Sequence, residues 1–223
     1  MTMPIMLFAA GKGTRMGSLT NSCPKPMIKV AGKPLIDHAL QIANAAKVGP
    51  KVVNLHYLPE LLKTHLSDDD IVFSEETDAL LETGGGLRKA LPLLGQSPVM
   101  TMNTDAVWKG PNPIDVIQNA WAPQMEALLL LIKKKNVSGH LGAGDFGTDA
   151  EGRLHREPDM IYTGVQIIRT DVLSEIDEVA FSMNIAWDII AKRGGLYGTI
   201  YDGKWCDVGQ PSSIPLAEAM LHV

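Results

Sequence analysis

The stretch Ile5-Met6-Leu7-Phe8-Ala9-Ala10 runs without a polar residue straight into Gly11-Lys12-Gly13-Thr14-Arg15-Met16-Gly17. An apolar run of this length is too short for a typical helix and suits a strand buried on both faces, with the glycines marking a turn at its carboxyl end. Glycine at 11 and 13 lets backbone N–H groups come close to an anion, and Lys12 and Arg15 add positive charge. Such a loop asks for a phosphate-rich ligand. A strand that delivers one opens an α/β sheet, whose ligands bind beyond the carboxyl ends of the strands.

The chain beyond it continues the pattern. Short apolar runs at 51–55, 71–74, 99–103 and 127–132 read as further buried strands. Between them Pro34 opens a helical repeat through Leu35, Ala39, Ile42, Ala43 and Ala46 that stops near Gly49 and Pro50, and 59–66, 86–94 and 113–121 are shorter helices. Glycines and mixed polar residues over 139–156 suggest a hairpin-bearing insertion, followed by strands at 162–168 and 196–201 and a closing helix at 212–222. The expected fold is α/β: a doubly wound, mostly parallel, Rossmann-like sheet with a small β-rich insertion, in one domain spanning 1–223.

Composition narrows the function classes. A formal net charge of -5 over 223 residues argues against a nucleic-acid partner, and the basic run Lys133-Lys134-Lys135 reads as a solvated strand end. No apolar stretch is long enough to cross a bilayer, and the N-terminal one lacks the basic flank of an export signal. Cys23 and Cys206 are far apart with no CxxC partner, which suits reduced thiols in the cytoplasm. The sequence is silent on oligomeric state.

Spacing tests the loop against other phosphate motifs. A Walker loop would need glycine at Met6 and a hydroxyl residue at Gly13. A dinucleotide fingerprint would need glycine at Met16 and an acidic residue about twenty positions on, where only Asp37 stands, inside a predicted helix. This second reading leaves a nicotinamide-dependent oxidoreductase as an alternative class. A third, a catalytically silent nucleotide sensor, would keep the loop and need no carboxylates beside it. Two such carboxylates are at hand: Asp105 ends the run from Val99 and should emerge at the sheet's carboxyl edge, and Asp207 follows Trp205. Together they suit Mg²⁺, which takes one or two carboxylates plus phosphate oxygens and water. The run Glu82-Thr83-Gly84-Gly85-Gly86 reads as a loop turning into a helix, with Thr83 as an N-cap and amides free to face a ligand. Asn54 and His56 lie near the same edge.

The run from Ala9 to Met16, followed by Pro24-Lys25-Pro26, resembles the signature of the sugar-phosphate nucleotidyltransferases. The resemblance extends through Leu81 to Gly86, Asn103-Thr104-Asp105 and Trp205-Cys206-Asp207-Val208-Gly209, so it covers almost the entire chain; Thr104 stands where glycine is common. It implies a nucleotidyltransferase fold of the glycosyltransferase-A type and transfer of a nucleoside monophosphate from a triphosphate to a sugar 1-phosphate, with Mg²⁺ as cofactor. The nucleotide-binding part would span about 1–110 and the sugar-binding part about 111–223. Arg15, Lys25, Asp105 and Asp207 would be catalytic, the two aspartates as metal ligands. The nucleotide would contact Ala10, Gly11, Gly13, Thr14, Arg15, Met16, Lys25, Glu82, Thr83, Gly84, Gly85 and Asn103. The sugar would meet Gly144, Asp145, Glu157, Tyr162 and Thr163. Within the family, the short chain, the glycine run and Gly144-Asp145-Phe146 are most similar to the N-acetylmuramate-1-phosphate uridylyltransferases, which implies UTP as donor. The mannose-1-phosphate guanylyltransferases are the competing members.

Overall fold

The computed structural model describes residues 2–46, 48–67, 70–95 and 97–222. Its strands are β1 (Ile5–Phe8), β2 (Lys29–Val30), β3 (Lys33–Pro34), β4 (Lys51–Leu55), β5 (Val72–Glu75), β6 (Val99–Asn103), β7 (Ala106–Lys109), β8 (Ala127–Lys133), β9 (Val137–Ser138), β10 (Phe146–Thr148), β11 (Leu154–Arg156), β12 (Met160–Ile168), β13 (Leu196–Ile200) and β14 (Lys204–Asp207). Its helices are α1 (Leu35–Ala45), α2 (Pro59–His65), α3 (Glu82–Leu94), α4 (Pro113–Ala120), α5 (Met183–Lys192) and α6 (Ser213–His222). Among the described residues no helix is long and apolar enough to cross a membrane.

β6, β1, β4 and β5 run parallel, with Phe8 opposite Asn103 and Leu7 opposite Val53. β12 lies antiparallel between β6 and β8, and β13 returns parallel to β8. The sheet is therefore mostly parallel, as the alternating pattern implies. Side chains leave it by turns: Ile5 and Leu7 enter a core on one face with α1, α2 and α4, while Met6 enters another on the opposite face with α3 and α5. β8 divides the same way, Leu128, Leu130 and Ile132 to one side, Leu129 and Leu131 to the other. Burial on both faces is why these strands read as unbroken apolar runs.

β10 and β11 form the hairpin expected within 139–156, joined to β12 where Phe146 meets Met160. A separate small sheet, β7-β14-β9, packs with α6 around a third core of Met16, Val30, Val107, Cys206 and Met220. Periodicity gave no sign of β7 or β14, each only four residues long. β1 also stops two residues earlier than its apolar run, because the Ala9 N–H leaves the ladder and donates to Asn54 Oδ1 at 2.7 Å.

The glycine run differs most from its expected form. α3 already begins at Glu82, and the N–H groups of Gly84 and Gly85 donate to the Phe181 carbonyl at 2.8 and 3.1 Å, so neither faces a ligand. Thr83 is no N-cap; its Oγ1 accepts from the Met183 N–H at 2.9 Å. The glycines serve close packing. A Cβ on Gly84 would lie 2.3 Å from the Phe181 ring, one on Gly85 2.4 Å from the Val179 carbonyl oxygen, and one on Gly86 2.8 Å from Glu76 Oε1. Gly84→Ala should therefore lose on the order of 1–3 kcal/mol from overpacking, read as a lower midpoint in urea unfolding; an unchanged midpoint would contradict this packing.

Candidate active site

Parallel pairing of β1 and β6 sets the phosphate loop beside the Asn103-Thr104-Asp105 turn. Gly13 holds φ 64°, and a Cβ there would lie 2.8 Å from Lys25 Cβ, so only glycine lets the loop close over Lys25. Thr20 Oγ1 hydrogen-bonds the carbonyls of Gly13 and Gly17, each at 3.1 Å. The residues from Thr14 to Thr20 form 3₁₀ turns kinked at Gly17. No α-helix starts here, so a dinucleotide would find no helix N-terminus to hold its pyrophosphate, and the fingerprint reading, weak on spacing, fails on geometry. Met16 lies in the third core, 1% exposed, and supports the loop from below; its side chain is no nucleotide contact.

Lys25 Nζ sits 2.7 Å from Asp105 Oδ2, tying loop to strand end by a charge-assisted hydrogen bond. β14 pairs Asp207 opposite Ala106, and the Val208 N–H donates to the Asp105 carbonyl at 2.8 Å, which brings the second carboxylate to the first. Burial and then the charge of Asp105 push the Asp207 carboxyl above its ordinary value, while Lys25 and His140 pull it back. His140 Nδ1 stands 3.4 Å from Asp207 Oδ2. Gly209 leaves room above this carboxylate: a Cβ there would fall 3.1 and 3.3 Å from the Asp207 oxygens and 3.4 Å from Arg15 Nη1.

Two carboxylates under mutual repulsion, next to a cradle that a methyl group would fill, fit a divalent cation that draws its other ligands from phosphate and water. Among the described residues no group of three or more His, Cys, Asp and Glu forms a cage for a metal. The carboxylate pair is thus suited to a cation shared with a substrate.

A cavity of about 210 Å³ opens beside the ion pair, walled by Ala10, Gly11, Lys25, Glu82, Thr83, Asn103 and Asp105 among others. Gly13, Thr14, Arg15, Asp207, Gly84 and Gly85 do not line it. Asn54, on its floor, is buried and accepts from Ala9, and its Nδ2 donates to Glu76 Oε1 at 2.7 Å. Glu76, 1% exposed, also accepts from the Leu81 N–H through Oε2 at 2.8 Å. His56 Nδ1 lies 2.7 Å from the Glu76 carbonyl oxygen. Nothing in the spacing of the sequence marks Glu76; only the fold brings it under the site.

A second cavity, about 240 Å³, shares Phe8, Thr83 and Asn103 with the first. Asp145 and Tyr162 line it, and Asp145 Oδ2 accepts from the Tyr162 N–H at 2.9 Å. Gly144, Glu157 and Thr163 do not line it: Gly144 packs on Pro158, Glu157 pairs with His155 on the surface, and buried Thr163 donates to the Leu130 carbonyl at 2.7 Å. The Thr163-Gly164 step is a bulge in β12, where Gly164 at φ 86° lies against the Asn103 side chain. Phe146, Arg156, Gln166, Ser182, Met183, Asn184 and Trp187 complete the wall, and sequence reasoning named none of them as a site residue.

Comparison with known proteins gives a consistent picture. Residues 5–179 match the model of the MobA-like NTP transferase domain. An N-acetylmuramate alpha-1-phosphate uridylyltransferase of Caulobacter vibrioides is 38% identical, the match covering 97% of this chain and 96% of that protein. A probable mannose-1-phosphate guanylyltransferase of Oryza sativa is 28% identical over 94% of this chain and 62% of its own. Among solved structures, a putative glucose-1-phosphate thymidylyltransferase from Bacillus anthracis superposes with a TM-score of 0.83 at 16% identity, covering 98% of this chain and 95% of that one.

The two thiols beside the site have different exposure. Burial, then the Asp207 charge, pushes Cys206 up to about 11, and burial also raises half-buried Cys23. Iodoacetamide at pH 8 should add at most one group to the folded protein, at Cys23, by intact mass and peptide mapping. A Cys206 adduct forming at the same rate would contradict its burial in the third core.

Proposed function

The chain belongs to the MobA-like NTP transferase family, and from that membership we propose that it transfers UMP from UTP to N-acetylmuramic acid 1-phosphate, releasing pyrophosphate. Nucleotidyl transfer to a sugar 1-phosphate is its activity. The observation that carries the finer choice of donor and acceptor is the near full-length match to the Caulobacter vibrioides uridylyltransferase at 38% identity, against 28% for the guanylyltransferase.

The reaction needs little covalent help. An oxygen of the sugar phosphate, already anionic, attacks the α-phosphorus; the bond from that phosphorus to the bridging oxygen breaks, and pyrophosphate leaves with the electron pair. The main obstacle is repulsion between two anions, so catalysis consists of alignment and charge neutralisation. In this reading the triphosphate lies along the loop from Ala10 to Arg15, with the base in the first cavity near Glu82, Thr83 and Asn103. Lys25 and Arg15 face the phosphates, and the sugar occupies the second cavity against Asp145 and Tyr162. The division into a nucleotide half (1–110) and an acceptor half (111–223) belongs to the same reading. Mg²⁺ held by Asp105 and Asp207 would supply Lewis-acid neutralisation of phosphate charge when bound. Buried Glu76 keeps the floor rigid through Asn54, and the loop's backbone holds Lys25 in place without reorganisation.

Two measurements test this. Pyrophosphate release across UTP, GTP, dTTP and CTP, each with N-acetylmuramic acid 1-phosphate and mannose 1-phosphate, should be greatest for UTP with the muramate; a preference for GTP with mannose 1-phosphate would make the chain a guanylyltransferase. Lys25→Ala and Asp105→Asn should each lower kcat about 10²–10³-fold, the cost of removing one preorganised charge from a developing anion. Turnover close to that of the unsubstituted protein in either folded variant would remove its assigned role.

A further inference from the structure

Among the described residues on the wall of the second cavity, Arg156 is the only positively charged side chain; the others are aromatic, amide and hydroxyl groups, Met183 and Asp145. Its setting is ordered by a chain of contacts that starts in the core. Buried Gln166 donates through Nε2 to Thr101 Oγ1 at 3.1 Å and accepts from Trp187 Nε1 at 2.7 Å, which fixes the plane of the Trp187 ring. Phe146 and Tyr162 pack edge-on against that ring, with centroids 6.0 and 4.9 Å away. The Arg156 guanidinium lies over this platform, 4.6 Å from the Phe146 centroid and 5.8 Å from that of Trp187. Asp188 Oδ1 accepts from Nε at 3.2 Å and Nη2 at 2.9 Å, holding one side of the guanidinium.

Exposed ion pairs contribute little to stability, and both partners here are about half exposed, so a gain in fold stability does not account for the Arg156–Asp188 pair. A stacked guanidinium clamped on one side is preorganised to receive a planar anion on the other, since its fork matches a carboxylate in two parallel hydrogen bonds. In the proposed reading Lys25 and Arg15 already face the phosphates at the junction with the first cavity, and neither lines the second. A second anionic group is therefore called for on the sugar. N-acetylmuramic acid carries one, the carboxylate of its lactyl ether, which N-acetylglucosamine lacks.

We propose that Arg156, held by Asp188 and the Phe146–Trp187 platform, binds the carboxylate substituent of the acceptor sugar and sets the preference for an acidic sugar 1-phosphate over a neutral one. This rests on the acceptor assignment above. The cavity also separates acceptors by the asymmetry of lost pairing: a neutral sugar leaves the guanidinium without its second anion, whereas a hydrophobic wall would discriminate weakly.

The test measures kcat/KM at saturating UTP for N-acetylmuramic acid 1-phosphate and N-acetylglucosamine 1-phosphate in the unsubstituted protein, Arg156→Met and Arg156→Lys, with thermal unfolding of each. Methionine keeps the apolar stem on the aromatic platform and should leave the unfolding temperature within a few degrees. The expected result is a fall of about 10- to 100-fold in the ratio of the two kcat/KM values in Arg156→Met, chiefly through KM for the muramate, with Arg156→Lys in between. Equal losses on both acceptors would mean that Arg156 acts only through the hairpin's structure, and unchanged kcat/KM on both would remove it from recognition; either result overturns the assignment. An unsubstituted protein that uses only the neutral acceptor overturns the muramate reading itself and this inference with it, an outcome separable from the other two because it needs no variant.

Discussion

Hydrogen bonding between β1 and β6, parallel and with Phe8 opposite Asn103, is the constraint on which the rest of the molecule depends. Parallel strands end together, so the chain leaving β1 as Ala9-Ala10-Gly11 and the chain leaving β6 as Thr104-Asp105 emerge side by side. Thr104 strengthens the junction through Oγ1, which donates to the Phe8 carbonyl at 2.7 Å. A slip of one residue would send Met6 and Met100 to the wrong cores and part Lys25 from Asp105. Chemistry and packing are thus set by one register.

That register was legible because parallel strands buried on both faces leave a simple trace, an apolar run ending in glycine or in Asn-Thr-Asp. β7 and β14 left no such trace. They are short, and β14 begins with exposed Lys204 and ends on the partly buried Asp207 that the site uses. Asp207 was recognisable as a residue through the Trp205-Cys206-Asp207 motif, while the pairing that delivers it to Asp105 was not. The glycine run misled for a different reason. Glycine is excluded from helices by backbone entropy, a cost near 1 kcal/mol each, but helix α3 accepts three in a row because Phe181, Val179 and Glu76 leave no space for a Cβ. Tertiary packing overrides propensity there, and a sequence read alone cannot contain that contact.

The acceptor side was the least legible, and its construction explains why. The first cavity is lined by residues from 8 to 105, grouped at strand ends where motifs form. The second draws Asp145, Arg156, Tyr162, Trp187 and Gln166 from a hairpin, a strand and a helix. No spacing rule links them. Arg156 ends the polar, glycine-containing stretch that reads only as a hairpin-bearing insertion until the Phe146 and Trp187 rings are seen beneath it. Thr163, a sugar contact by resemblance, sits with Gly164 in a bulge, which bends β12 so that Gly164 can pass the Asn103 side chain.

The carboxylates show how such a fold carries a reactive site at a cost. Bringing partly buried Asp207 close to Asp105 disfavours its charge, as the raised carboxyl records, and Lys25 offsets only part of that penalty. A core of apolar residues would be more stable at this position. In the proposed reading the repulsion is nonetheless useful, because a divalent cation held by Asp105 and Asp207 would relieve it and would draw its other ligands from phosphate and water. Binding of substrate and stabilisation of the strand ends would then be the same electrostatic event, at a place fixed by the pairing of β1 with β6 and of β7 with β14.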